Sequence, residues 1–236
     1  VEQKNSVNQT SPDYLEQPTP PIRKLIAKRM LESKKEAPHF YVTTKIDMRR
    51  AAAFRTEWNG QNEIKISFND LILKAVALAL KKHPKINASF REETIVFHQK
   101  VHVGVAIALD EGLVVAVIRD CDQKSLAEIA RETRDLAERA KTRKIKSSEI
   151  RGSTFTVSNL GMYGIDSFTA IINKPEAAIL AVGGIQEIPV VADGHIVIGK
   201  QMKITLSSDH RVVDGSNSAA FVQEVKQLLE TPSLLE

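Results

Sequence analysis

The stretch Val101 to Ile118 reads VHVGVAIALDEGLVVAVI, and its pattern decides what kind of fold the chain adopts. Val101, Val103, Val105, Ile107 and Leu109 alternate with His102, Gly104, Ala106 and Ala108, a period of two that places one set of side chains on each face of a sheet. Asp110-Glu111-Gly112 supplies a turn, and LVVAVI continues as a buried strand of mostly branched residues. A β-hairpin is therefore predicted here. Just beyond it, Leu126, Ile129, Ala130, Thr133, Leu136, Ala137 and Ala140 trace one face of a helix whose other positions are largely Glu, Arg, Asp and Lys. Such a helix lies on a sheet.

Working outward from the hairpin, helices and strands intermix. Ile22, Leu25, Ile26, Arg29 and Met30 follow Pro21 at helical spacing, with the proline suited to a first turn. Phe40 to Ile46 alternates and is rich in β-branched and aromatic residues, which predicts a strand, and Asp47 is placed to cap a short helix through Trp58. Phe68, Leu71, Ile72, Val76 and Leu78 mark a helix ended by His83-Pro84. After the central helix, short strands are predicted at 155–158, 178–182, 188–191, 196–198 and 202–206. A last helix carries Phe221, Val222, Val225, Leu228 and Leu229 and ends near Thr231-Pro232. This order argues an α+β fold, with helices packed on a mixed, largely antiparallel sheet.

Composition bounds the possible functions. At 236 residues and 42% hydrophobic content the chain can bury a substantial core. Its apolar runs fall far short of the ~20 residues a membrane helix needs, and no signal-peptide pattern opens it. The single cysteine, Cys121, excludes an internal disulfide framework and reads as a buried thiol rather than a nucleophile. A net charge of +4, with basic residues dispersed rather than interleaved with aromatics, argues against nucleic acid and leaves room for an anionic small ligand. Residues 1–19 are polar, proline-rich and without apolar period, and are expected to be a linker from a longer parent chain. Residues 20–236 are expected to form the folded domain.

Two polar clusters sit at predicted strand ends. In Ser207-Ser208-Asp209-His210-Arg211-Val212-Val213-Asp214-Gly215, the strand ending at Leu206 delivers His210 to a loop on a rigid support, with Asp214 and Gly215 leading into the last helix. Spacing alone leaves two readings open. Asp214 or Ser216 can be an N-cap, Asp209 a turn former and His210 a solvated loop residue. Alternatively His210 is a general base with an acid that fixes its tautomer or braces the loop. The second cluster, FTVSNLGMYG at 155–164, places Ser158 at another strand end before a glycine-punctuated loop. The six histidines show no HExxH or other close helical ligand spacing, so no metal site is expected. Gly152, Gly161 and Gly164 form neither GxGxxG nor GxxxxGK[ST], so nucleotide hydrolysis has no support.

Taken together, DHRVVDG, FTVSNLGMYG and AIINKPEAAILAVGGI closely resemble the dihydrolipoamide acyltransferase core of the 2-oxo acid dehydrogenase complexes, a family with a chloramphenicol acetyltransferase-like fold. RKLIAKRMLESKKEAPHFYVT, SFNDLILKAVALAL and VHVGVAIALDEGLVVAVIRD extend the resemblance over about residues 20 to 236. It implies that His210 is the general base that deprotonates the thiol of coenzyme A or dihydrolipoamide. It implies that Ser158 donates a hydrogen bond to the tetrahedral oxyanion, and that Asp214 orients the loop by pairing with an arginine. Asn159, Gly161 and Met162 are weaker candidates for cofactor contacts. A Ser-His-Asp hydrolase would need Ser158 as nucleophile, and VSNLG is no GxSxG elbow.

The resemblance also implies partners. Coenzyme A is a substrate, and the lipoyl group arrives on a separate domain. The active channel lies between subunits of a homotrimer that builds a larger core, which engages the decarboxylase and dihydrolipoamide dehydrogenase components of the complex. Leu234-Leu235 is a candidate contact for that assembly, or else a helix end folded onto its own core. The wording around SNLGMYG and FTAIINKPEAAILAVG is closest to the acetyltransferases of pyruvate dehydrogenase, with branched-chain acyl or succinyl transfer, or a non-catalytic scaffold, as the alternatives. The expected compartment is the cytoplasm of a bacterium or the mitochondrial matrix.

Overall fold

A computed structural model describes residues 14, 16–109, 112–192 and 194–236. Residues 1–13 and 15 of the expected linker, and Asp110 and Glu111 of the expected turn, lie outside the described residues. In chain order the elements are α1 (Pro21–Glu36), β1 (His39–Asp47), α2 (Arg49–Gln61), α3 (Phe68–Lys82), β2 (Ala88–Arg91), β3 (Thr94–Phe97), β4 (Val103–Leu109) and β5 (Gly112–Ile118). They continue with α4 (Leu126–Lys141), β6 (Phe155–Asn159), β7 (Ala178–Val182), β8 (Gln186–Ala192), β9 (His195–Asp209) and α5 (Gly215–Glu230).

The opening stretch forms the expected hairpin, although only the last three residues of its second strand are buried and Leu113 is exposed. β4 and β5 pair antiparallel from Val103↔Ile118 to Leu109↔Gly112. The wider sheet runs β5-β4-β6-β7-β9-β1, with β8 pairing the first half of β9. The β4–β6 and β6–β7 pairs are parallel and the rest antiparallel, so the sheet is mixed as expected. Where two short strands were predicted at 196–198 and 202–206, β9 is continuous over 15 residues, because β8, β7 and β1 together pair its whole length. β2 and β3 form a separate small hairpin that the sequence pattern did not announce.

The helices cover the sheet. α3 is buried from Asp70 to Leu80 except at Leu78, as expected of a helix apolar nearly all round, and a reciprocal Ser67–Asp70 capping box starts it. The one lysine in its buried stretch, Lys74, reaches out to donate to the carbonyls of Lys124 (2.6 Å) and Asp122 (3.3 Å). α4 buries Leu126, Ile129, Ala130, Leu136 and Ala140, the face read from the sequence, behind a Ser125–Glu128 capping box. α5 buries Phe221, Val222, Val225, Leu228 and Leu229, each worth roughly 1.5–3 kcal/mol of burial. Phe221 meets Phe155 of β6 with ring centroids 5.5 Å apart.

One expectation needs correction. Met48, not Asp47, is the N-cap of α2. The Asp47 carboxylate instead accepts the Arg49 backbone N–H at 3.0 Å and grips the Arg49 guanidinium. Among the described residues nothing fully covers the apolar face of α1, since Ile22 and Leu25 remain about half exposed while only Ser33 of that helix is buried. At the C-terminus the two leucines part: Leu235 is buried in the core and Leu234 is half exposed.

Candidate active site

β9 carries the DHRVVDG turn to one edge of the sheet. The last residues of β9, Ser207 to Asp209, are buried between β1 and β7, with His39 opposite Asp209 and Ala178 opposite Ser208. Asp209 is the pivot of the turn. Its backbone N–H donates to Ala177 O at 2.8 Å, and its carbonyl accepts the N–H groups of Val212 and Val213 at 3.0 Å each. Its carboxylate accepts from Arg211 three times, from the backbone N–H (3.0 Å), Nε (3.0 Å) and Nη2 (2.7 Å). The guanidinium lies 4.2 Å over the Phe90 ring of β2. Ser208 Oγ meets Ser218 Oγ of α5 at 3.0 Å, which ties the turn to the last helix.

That scaffold presents His210. Its backbone N–H donates to Pro38 O at 3.0 Å, and its ring meets Phe40 edge-on with centroids 5.0 Å apart. The residue is exposed while its backbone is held, the condition for a side chain that must meet a reactant from outside. Asp214 does not brace the loop within the chain. It is exposed, it caps α5 without a side-chain hydrogen bond, and no described residue pairs with its carboxylate. The arginine–carboxylate pair is Asp209–Arg211 instead, because only Asp209 lies on the buried end of β9.

Ser158 belongs to a different edge. It stands near the C-terminal end of β6, half-buried, opposite Ala181 of β7. Asn159 Oδ1 accepts the Gly161 N–H at 2.8 Å and its Nδ2 donates to Asn69 Oδ1 at 3.2 Å, so both amide atoms hold the turn after β6. The turn packs backbone to backbone. A Cβ on Gly161 would lie 2.8 Å from Gly183 O, and one on Gly183 only 2.1 Å from Asp166 O. Met162 is 84% exposed, so it projects from this edge.

The register separates the two clusters. Ser158 lies opposite Ala181, Ala181 lies opposite Thr205, and His210 is five residues further along β9, toward the edge where β7 begins. With strands about 4.8 Å apart and a rise of about 3.3 Å per residue, the two Cα atoms are roughly 15–20 Å apart. One chain therefore does not bring His210 and Ser158 together.

Cys121 is buried, and burial pushes its thiol up to about 12, which removes it as a nucleophile at neutral pH. A residue the sequence reading passed over is Glu176, at the head of β7. It is buried, and burial raises its carboxyl to about 7 against the hydrogen bonds of Ser153, Thr156 and Asn173. Its signal was a charge set directly before the apolar run AAILAV.

With this geometry in view, the comparisons are specific. The family of 2-oxoacid dehydrogenases acyltransferase (catalytic domain) matches residues 11–236. The dihydrolipoyllysine-residue acetyltransferase component of the pyruvate dehydrogenase complex of Rickettsia felis is 40% identical over 233 residues, covering 97% of this chain and 57% of that protein. The chain thus spans little more than half the length of that relative. Among solved structures, Azotobacter vinelandii dihydrolipoamide acetyltransferase, studied for the role of a serine, a histidine and an asparagine in its catalytic mechanism, is 32% identical with a TM-score of 0.90, covering 94% of this chain and 93% of that one. The cubic core of the pyruvate dehydrogenase multienzyme complex is 30% identical with a TM-score of 0.90, covering 100% and 98%. Chloramphenicol acetyltransferase, at 15% identity and a TM-score of 0.56 over 86% of this chain and 94% of that one, shares the fold.

Proposed function

This chain belongs to the 2-oxoacid dehydrogenases acyltransferase (catalytic domain) family, and from that premise we propose that it moves an acetyl group between a dihydrolipoyl thiol and coenzyme A in a pyruvate dehydrogenase complex. One observation carries the reading. Ser158, His210 and Asp214 stand at the same spacings as the serine, histidine and asparagine studied for catalysis in the Azotobacter vinelandii acetyltransferase. Asp214 then takes the place of that asparagine.

The chemistry follows from the three positions. A thiol with a pKa near ~8.5 is only slightly ionised at neutral pH, so a positioned imidazole contributes roughly 10² to 10⁴ in rate by taking its proton. His210 takes that proton, the sulfur attacks the carbonyl carbon of the partner thioester, and the carbonyl oxygen becomes an oxyanion. Ser158 donates its hydroxyl hydrogen to that oxygen, a bond worth about 3–4 kcal/mol in a transition state. Collapse expels the other sulfur, which takes the proton back from the imidazolium. Asn159, Gly161 and Met162 border the same edge as Ser158 and are the nearest candidates for coenzyme A contacts.

The roughly 15–20 Å between Ser158 and His210, estimated from the strand spacing and rise, supports a site built by two chains, His210 from one and Ser158 from its neighbour. We take the assembly to be a homotrimer within a larger core, and residues 20–236 to be its catalytic domain. The lipoyl group, decarboxylase and dihydrolipoamide dehydrogenase are then separate partners, in a bacterial cytoplasm or a mitochondrial matrix. The test is acetyl transfer from acetyl-coenzyme A to free dihydrolipoamide. Activity that falls by two or more orders of magnitude in His210→Ala upholds the reading. A well-folded oligomer with no activity overturns it in favour of a scaffold, and a faster rate with succinyl- or branched-chain acyl-coenzyme A overturns the acetyl assignment.

A further inference from the structure

Beside the His210 edge of the sheet, a cleft of about 850 Å³ opens at the head of β6 and β7, with Glu176 in its lining. Glu176 Oε1 accepts from Ser153 Oγ (2.5 Å), Thr156 Oγ1 (2.9 Å) and Asn173 Nδ2 (2.9 Å). Its Oε2 is buried and has no hydrogen-bond partner among the described residues. The two oxygens are thus unequal. Oε1 is saturated as an acceptor, as the carbonyl of a carboxylic acid would be, which leaves Oε2 as the hydroxyl with a hydrogen to give and nothing to receive it.

The walls say what the receiver is. Arg29, Arg91, Lys100, Arg151 and Lys174 line the cleft, against Glu32 as its other acid. Lys174 is paired with Glu36 and Lys100 with Asp120, while Arg29, Arg91 and Arg151 have no ion pair among the described residues. His98 and His102 line the cleft too, and burial lowers both imidazoles, so they add little positive charge at neutral pH. Three guanidiniums without an ion pair line the same cleft as the Glu176 carboxyl, and a guanidinium suits the fork geometry of phosphate oxygens.

We propose that this cleft binds a phosphorylated small molecule, its phosphate held by Arg91 and Arg151 at the rim and by the Oε2–H of Glu176 at the floor. The site stands on Glu176 and the arginines and does not depend on the acetyl-transfer reading. Its chemistry is that of a phosphate ester, whether carried on coenzyme A or on a separate metabolite. Because burial raises the Glu176 carboxyl to about 7, the donor is present below that pH and lost above it. Anion binding therefore weakens as pH rises through 7.

Titration calorimetry on the assembled protein tests this with pyrophosphate at pH 6.5. Saturable binding is expected, weakened roughly tenfold in Arg91→Gln and in Arg151→Gln, the scale of one charge-assisted hydrogen bond. Sulfate, whose charge is constant, should bind more weakly at pH 8.5 than at 6.5 in the parent, with the difference much reduced in Glu176→Gln, whose amide keeps a donor at both. Competition between pyrophosphate and coenzyme A identifies coenzyme A as the source of the phosphate, and simultaneous binding identifies a separate metabolite. Absence of saturable binding, or affinity unchanged in both arginine variants, overturns the site. The arginine variants change exposed side chains, so the test survives a Glu176→Gln chain that folds poorly.

Discussion

Ser158 and His210 stand at opposite ends of one sheet, two strands and several residues of register apart. A hydroxyl and an imidazole that far apart cannot act on one carbonyl carbon. The proposed reaction therefore needs two chains, with His210 from one and Ser158 from its neighbour.

That geometry sets up a complementation experiment. His210→Ala and Ser158→Ala chains, each nearly inactive alone, should recover activity when dissociated and reassembled together. If each site draws one residue from each of two neighbours, random mixing at equal amounts leaves about a quarter of sites complete. Activity near that fraction, read in the acetyl-transfer assay after verified subunit exchange, is the expected result. No recovery would place the site within one chain.

Ser158→Ala should lower kcat by roughly 10²–10³ while KM changes little, because a donor that meets only the oxyanion stabilises the transition state and not bound substrate. Steady-state kinetics at saturating acetyl-coenzyme A separates the two parameters. An effect confined to KM would make Ser158 a binding residue.

The two acids of the turn are expected to behave differently. Arg211→Ala leaves the buried Asp209 carboxylate without its ion pair and should cost about 3 kcal/mol in denaturant unfolding, the low end for breaking a buried pair because Arg211 is partly exposed, with loss of activity as the loop moves. Asp214→Asn removes no side-chain bond made among the described residues, so stability should shift by less than about 0.5 kcal/mol. The proposed equivalence with the asparagine of the Azotobacter vinelandii acetyltransferase also predicts retained activity in Asp214→Asn. Inactivity with unchanged stability would make the charge of Asp214 part of the reaction.

Gly183→Ala probes the close packing behind Ser158. Its Cβ would meet Asp166 O at 2.1 Å, a contact that only backbone movement relieves. A loss of about 1–3 kcal/mol in unfolding free energy is expected, the range for overpacking a filled site.

Much of this architecture was legible before the fold. The hairpin of β4 and β5, the apolar face of α4 and the five inward residues of α5 follow from period, because each element buries one face against the same core. The hairpin of β2 and β3 was not, since strands of four residues are too short to show alternation. β9 looked like two strands because Gly199-Lys200 interrupts its pattern, and only pairing with β8 on one half and β1 on the other makes it continuous. His210 and Ser158 were found by resemblance, since spacing alone allowed a plain turn. Asp209 was passed over as a turn former, because burial of its carboxylate depends on where β9 ends between β1 and β7. The uncovered Ile22 and Leu25 of α1 show the same limit, as their period announced an apolar face without saying what covers it.

Glu176 gives a prediction about stability that needs no ligand. Its folded carboxyl lies at about 7 against an ordinary 4.5, because burial disfavours the anion more than its three donors favour it. The folded state therefore holds a proton that the unfolded state releases between these values, and stability falls as pH rises from about 4.5 through 7. The full excursion is about 3 kcal/mol at 1.36 kcal/mol per pKa unit, complete above pH 8. Glu176→Gln, which keeps an acceptor for Ser153 and Thr156 and cannot ionise, should remove most of this slope and be the more stable protein, relative to the parent, at pH 8 than at pH 5. Urea unfolding of both chains across pH 5–8 measures it. Parallel curves would mean that Glu176 is already ionised in the fold and that a bound water or ion satisfies Oε2.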